Sequence, residues 1–338
     1  MSFNVEKKET IKDYILEKVG EGRTDIASAT AESFNVSQQS VHRYINELLE
    51  ENRIVKISRS HYELSRKILK WSFSRSAGEL TDERTVYRDH LAEEFAALSG
   101  NVRRIWDYVL SEMINNVIDH SEAEGMELRL ERDAKKTGMY IYDNGVGIFN
   151  RIKEYYKLSS YEDALLELFK GKLTTDSKHH SGEGIFFSSR MMDEFVIYSS
   201  GVVFSHNKYG ISNIDQVADE SMKSVGTLIY MSLSDTSRRS AKDIFDEYAS
   251  VDGGFTKTRI LLKNVFDDVP VSRSQAKRLC ERLNDFEEVV LDFDEIEWMG
   301  QGFADQVFRV YASEYPEIRI IPVNMSEDVT RMYNHVKQ

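Results

Sequence analysis

Apolar positions along this chain change period several times. From residue 10 to residue 50 they recur at helical spacing. A first helix is predicted from Thr10 or Ile11 to Val19, stopped by Gly20 and Gly22. Thr24 is placed to cap a second helix from Asp25, whose apolar positions end at Phe34. After the polar turn Asn35-Val36-Ser37, Ser37 is a natural N-cap for a third helix through Glu50, with Val41, Tyr44, Ile45 and Leu48 as its stripe. The period then drops to two. Arg53–Ile57 and His61–Leu64 alternate around Ser58-Arg59-Ser60, a hairpin signal. Residues 66–103, aromatic among many charges, are expected to form helices joining this module to the next.

Helical period returns at Ser111–His120, where Met113 with Val117 and Ile114 with Ile118 face a core. Glu112, Asn116, Asp119 and His120 share a neighbouring face. Strands are expected at Met126–Glu131, Gly138–Tyr142, Phe195–Ser199, Val202–Ser205 and Thr227–Leu233. Phe149–Ser181 reads as a long polar segment, and a loop of that length in a compact domain is usually a functional lid. Beyond residue 240, strands at Thr258–Leu262, Val289–Phe293 and Ile318–Ile321 alternate with helices, which predicts a small parallel sheet. One of those helices is capped by Ser272 or Ser274, and the last is opened by Ser326. The fold class is therefore α+β and multidomain: 1–65, a helical linker at 66–103, 104–240 and 241–338.

Composition narrows the picture. Hydrophobic content of 41% lets each domain bury a core. No apolar run approaches the ~20 residues of a membrane span, and the start of the chain lacks a secretory apolar segment. A cytoplasmic protein with no membrane partner is expected. Net charge of −13 argues against diffuse nucleic-acid affinity but leaves room for a local footprint. The single cysteine, Cys280, excludes an intrachain disulfide framework, and its spacing with Ala276, Leu279 and Leu283 makes it a core residue.

Three short stretches carry the chemistry. Carboxylate and carboxamide oxygens such as those of Glu112 and Asn116 suit Mg²⁺, usually shared with substrate phosphates. Asp143-Asn144-Gly145-Val146-Gly147-Ile148 follows a strand, and its glycines let backbone approach a flat ligand. An Asp there can accept a hydrogen bond from an exocyclic amine. Gly182-Glu183-Gly184-Ile185 opens a helix, whose amides suit phosphate. Lys172 and Lys178 are cations able to close on a triphosphate.

Taken in order, these stretches resemble the Bergerat (GHKL) ATPases: gyrase, a heat-shock chaperone, histidine kinases and MutL. Glu112-x-x-x-Asn116 matches that family's N box, Asp143-x-Gly145-x-Gly147 its adenine box and Gly182-x-Gly184 its second glycine box. Gly226-Thr227 matches a fourth element, whose threonine helps the Asp hold adenine. The resemblance implies an α/β-sandwich ATPase using ATP and Mg²⁺. Asn116 would hold the metal and Glu112 would polarise a water. Asp119, His120, Ile148, Glu183 and Ile185 would join the boxes around the cofactor.

The first module resembles a winged helix-turn-helix, which implies duplex DNA as a partner. Gln38, Gln39, Ser40, His42 and Arg43 at the start of the third helix would reach base edges, and Lys56 and Arg59 in the hairpin would reach phosphate. The last domain resembles the STAS fold of anti-anti-sigma factors. Its loop Gly300-Gln301-Gly302 lacks that family's phosphorylatable serine, so a protein-interaction or nucleotide-sensing role is expected. A homodimer is left open. The leading expectation is an ATP-gated regulator that couples nucleotide state to DNA or partner binding. Two others stand beside it: a protein kinase acting on a separate serine or histidine, and an interaction scaffold that never touches DNA. His90, followed by Leu91 rather than an acidic residue, does not fit the kinase phosphoacceptor pattern.

Overall fold

The computed structural model describes residues 2–172, 183–205, 225–249, 254–266 and 269–337, with side chains from Glu6 onward. The chain forms two compact units. The first comprises residues 1–70, 129–139 and 233–236, and the second 71–128, 140–232 and 237–338.

In the first unit α1 (Ser2–Gly20), α2 (Ile26–Phe34) and α3 (Gln38–Glu50) precede an antiparallel hairpin of β1 (Ile54–Ser58) and β2 (His61–Leu64). Ile11, Ile15, Leu16 and Val19 of α1 meet Val41, Ile45 and Leu48 of α3 in one core. Ser37 caps α3 as its sequence implies, its hydroxyl accepting from the Ser40 amide at 3.2 Å. Helix α1 starts earlier than its apolar positions suggest. Its charged first half is held by packing partners elsewhere, since Lys8 and Lys12 reach Glu47. Thr24 is not the cap of α2. Asp25 holds that position without a capping bond, because Arg23 occupies its carboxylate.

A six-stranded sheet in the order β3-β4-β5-β8-β6-β7, made of Lys67–Ser74, Gly125–Arg132, Lys136–Asp143, Thr227–Ser234, Glu194–Ser199 and Val202–Ser205, has most of its residues in the second unit. The stretch 66–103, expected to form helices, thus begins with a strand. Leu69, Trp71 and Phe73 alternate with exposed residues, the period-two signal of a half-buried strand. Helices α4 (Glu83–Val86) and α5 (Ala92–Phe95) follow, then the long α6 (Gly100–His120), whose buried face runs Val102, Ile105, Trp106, Val109, Leu110, Met113, Ile114, Val117. The segment read as one polar loop also differs. It contains α7 (Ile148–Tyr156) and α8 (Tyr161–Lys170), because Phe149 and Ile152, then Ala164, Leu168 and Phe169, fall at helical spacing and are buried. Helix α9 (Gly184–Met191) packs on α6.

The C-terminal part holds a parallel three-stranded sheet, β11-β10-β9 (Arg319–Val323, Glu288–Asp292, Lys257–Leu261). Helices Arg273–Cys280, Gln301–Asp305 and Glu327–Lys337 accompany it. Ser272 and Gln275 form a capping box on the first of these. That helix stops at Cys280, and Arg282 then takes a left-handed φ of 59°.

A buried ion pair joins α8 to this domain. The ammonium of Lys170 donates to Glu167 Oε1 at 2.6 Å and to the carbonyls of Arg278 at 3.0 Å and Glu281 at 2.7 Å. All three N–H donors are used, two of them at the negative end of a helix. Arg282 holds the other oxygen of Glu167 at 2.9 Å. Burial pushes Lys170 below the ordinary lysine value, opposed by Glu167. Removing one member of a buried pair strands the other. Lys170→Met is expected to lose about 3 kcal/mol, the low end for such pairs because Arg282 remains. Lys170→Met with Glu167→Gln should recover part of it. Chemical denaturation decides: a loss under about 1 kcal/mol removes this role.

Candidate functional site

Asp143 ends β5 and is 3% exposed. Its Oδ1 accepts the Gly145 amide at 2.8 Å. Thr227, first residue of β8, lies against it, and the Thr227 hydroxyl accepts the Ile148 amide at 3.1 Å. Burial raises the Asp143 carboxyl to about 6, and the bonds from Gly145 and Thr227 only partly oppose that. At about 1.4 kcal/mol per unit, the rise from 3.8 to about 6 leaves the ionised form about 3 kcal/mol worse off than in water.

Glycine is required around this carboxylate. A Cβ on Gly226, whose φ is +86°, would overlap the Asp143 carbonyl oxygen, and one on Gly145 would overlap the Ser121 carbonyl oxygen. Gly147, at φ +84°, would bring a Cβ to 2.7 Å from Ser199 Oγ. The Val146 amide donates to Ser121 O at 2.8 Å, which fixes the turn to the end of α6.

The second glycine position meets the same helix. A Cβ on Gly184 would overlap Glu112 Oε2, so the carboxylate rests against the start of α9. Glu112 and Glu183 both bear on Tyr108, whose hydroxyl is pushed up by burial first and by these carboxylates next. Along α6, Glu112, Asn116 and His120 are half-buried and Asp119 is exposed. Ile185 is half-buried beside Gly184. The structure therefore brings Glu112 to Gly184, and separately Asp143, Gly145, Gly147 and Ile148 to Thr227.

Other expected residues are placed elsewhere. Lys172 donates to the Asp285 carbonyl at 2.5 Å and lies over Phe286 (4.8 Å) and Phe255 (5.6 Å), contacts with the C-terminal domain rather than with Glu112 or Asp143. Lys178 and Gly182 lie outside the described residues. Sequence reasoning missed Arg75. It donates to Ala123 O at 2.8 Å, Ile118 O at 2.9 Å and Val117 O at 3.4 Å, so it secures the last turn of α6. No local pattern marks an arginine that far from the helix it caps.

In the first unit Gln38, Gln39, His42 and Arg43 are exposed on α3, as are Lys56 and Arg59 on the hairpin. Ser40 is used in the helix cap, 3.0 Å from the Ser37 hydroxyl. Asn46, exposed one turn beyond His42 and Arg43, belongs to the same polar face and was not anticipated.

The C-terminal domain has a known counterpart. Residues 275–330 match the family model of a STAS-like domain of unknown function (DUF4325). Comparison with curated proteins gives no match. In the STAS-like domain the loop without a hydroxyl is closely packed: the Gly300 amide donates to Pro270 O at 2.9 Å, and a Cβ there would overlap Val271 O. Among the described residues no helix is long and apolar enough to cross a membrane, and no group of three His, Cys, Asp or Glu could hold a metal.

The glycine geometry gives a graded test. Gly201→Ala meets no atom within 4 Å and carries only the strain of φ +77°, about 1 kcal/mol. Gly226→Ala adds overlap with rigid backbone and should cost about 3 kcal/mol or more. Equal losses in urea unfolding would show that backbone does not crowd Gly226.

Proposed function

We propose that the second unit binds ATP in the manner of the GHKL ATPases and that the protein is a nucleotide-gated regulator. One observation carries this reading: a carboxylate is buried at a strand end between bare glycine backbone and Thr227 and is raised to about 6 even with bonds from Gly145 and Thr227. A flat amine-bearing base would add a further donor that favours the ionised form, and glycine leaves room for its approach. Perturbed carboxylates of this kind concentrate at functional sites.

The residues present fit such a ligand. Asp143 would accept the base amine, and the amides opening α9 would face phosphate. Asn116 would hold Mg²⁺ together with phosphate oxygens, a carboxamide being a hard oxygen ligand of the kind Mg²⁺ takes beside substrate phosphates. Bound Mg²⁺ would neutralise phosphate charge. Glu112, half-buried against Gly184, would orient and polarise a water.

The pH dependence follows from Asp143. Its folded value lies above the unfolded one, so its contribution to stability is full below about 4 and is lost as pH rises through about 6. Binding of an amine donor favours the ionised form and should release a proton near pH 6. ATP affinity is therefore expected to rise with pH across 5–7 and then level off. The calorimetric heat near pH 6 should depend on the buffer. Asp143→Asn should flatten the profile and weaken binding roughly tenfold or more. A flat profile in the unmodified protein, or full affinity in the variant, rules out the adenine role.

We further propose that the first unit is a winged helix that binds duplex DNA. The exposed row Gln39, His42, Arg43 and Asn46 supports this, with Lys56 and Arg59 beyond it. Affinity should fall with salt at about −0.9 per phosphate contact, and Arg59→Ala should flatten that slope by about one for all sequences. No shift of random duplex at low salt, with or without ATP, would leave the protein-interaction alternative.

A further inference from the structure

Helix α9 begins at the residue that meets Glu112 and ends near Arg190, whose side chain reaches β9. The Arg190 guanidinium lies 3.3 Å from the centroid of the Phe186 ring and 5.1 Å from that of Tyr248. It donates to Phe186 O at 3.0 Å on its own helix and to Arg259 O at 3.2 Å on β9. Burial pushes it down to about 10, partly opposed by Tyr248. An arginine enclosed this way cannot be exchanged for solvent contact without breaking the helix-to-strand tie.

The tie continues beyond β9. Arg259 donates through Nε at 3.1 Å and its terminal nitrogen at 2.6 Å to Asp292 Oδ2, at the end of β10. The other oxygen of Asp292 accepts the Asp294 amide at 3.0 Å and the Asn324 carboxamide at 2.9 Å. Asp292 is 3% exposed. A displacement of α9 along its axis therefore meets hydrogen-bonded, packed groups at each step, and none of them can slip without losing a bond.

We propose that Arg190 makes the STAS-like domain a reader of nucleotide occupancy: it ties the glycine-led helix α9 to β9, and Arg259 passes the state of that strand to Asp292 and the loops it holds. This rests on the ATP reading given above. Occupancy shifts the domain only so far as ATP prefers one arrangement of α9, and the coupling is reciprocal.

Hydrogen exchange of the full chain, with and without Mg-ATP and with binding measured in parallel by calorimetry, tests it. In the unmodified protein Mg-ATP is expected to slow exchange in residues 257–262 and at Asp294 about fivefold or more. Arg190→Met should bind ATP yet lose that slowing. Where Arg190→Met fails to fold, Arg259→Gln takes its place: it is expected to keep the slowing at 257–262 and lose it at Asp294. ATP binding without slowing, or with equal slowing at Asp294 in the variants, overturns the relay and leaves the ATP site standing. Absence of any ATP binding overturns both.

Discussion

One buried carboxylate, Asp143, constrains the structure around the end of β5. Backbone lies close to Asp143 at the end of β5, and that closeness admits no side chain at Gly145 or Gly226. The Gly145 amide and Thr227 soften the cost of burying the charge without cancelling it. The same few residues fix the end of α6, since Ser121 takes the Val146 amide while its own hydroxyl donates to Val117 O at 2.6 Å. Strand end, glycine turn and helix terminus are thus one mutually dependent piece of structure. A ligand donor reaching Asp143 would act on all of it.

A second piece depends on ions rather than glycines. Lys170 sits inside the unit with its three donors spent on Glu167 and the end of the helix Arg273–Cys280. Thr258 Oγ1 donates back to Lys170 O at 2.7 Å. Paired charge and satisfied carbonyls specify one docking arrangement where an apolar surface would tolerate several. The STAS-like domain is held to α8 in that fixed way.

Regular elements were readable wherever the period of apolar residues was long enough. Ser37 announced α3, Val289–Asp292 announced the central parallel strand, and Asp143 with its glycines announced a turn at a strand end. The reading failed where local and tertiary signals compete. Charged residues around Trp71 mask the alternation of Leu69, Trp71 and Phe73, so the sequence of β3 reads as helical. Polar residues between Phe149 and Lys170 masked two amphipathic helices whose buried faces are only a few residues wide. Position along the chain says nothing about which element the Lys172 ammonium meets, and in this structure it is the Asp285 carbonyl. Arg75 and Arg190 carried no signal, since each acts on an element distant in sequence.

The lone cysteine has a practical consequence. Cys280 is buried, and burial pushes its thiol up to about 12. At neutral pH only on the order of one thiol in 10⁵ would then be ionised, and the thiolate is the reactive form. The native chain should therefore be almost inert to maleimides while folded. Cysteines engineered at exposed positions could carry paired fluorophores without first removing the natural one, giving a ready-made background for distance measurements on the intact protein.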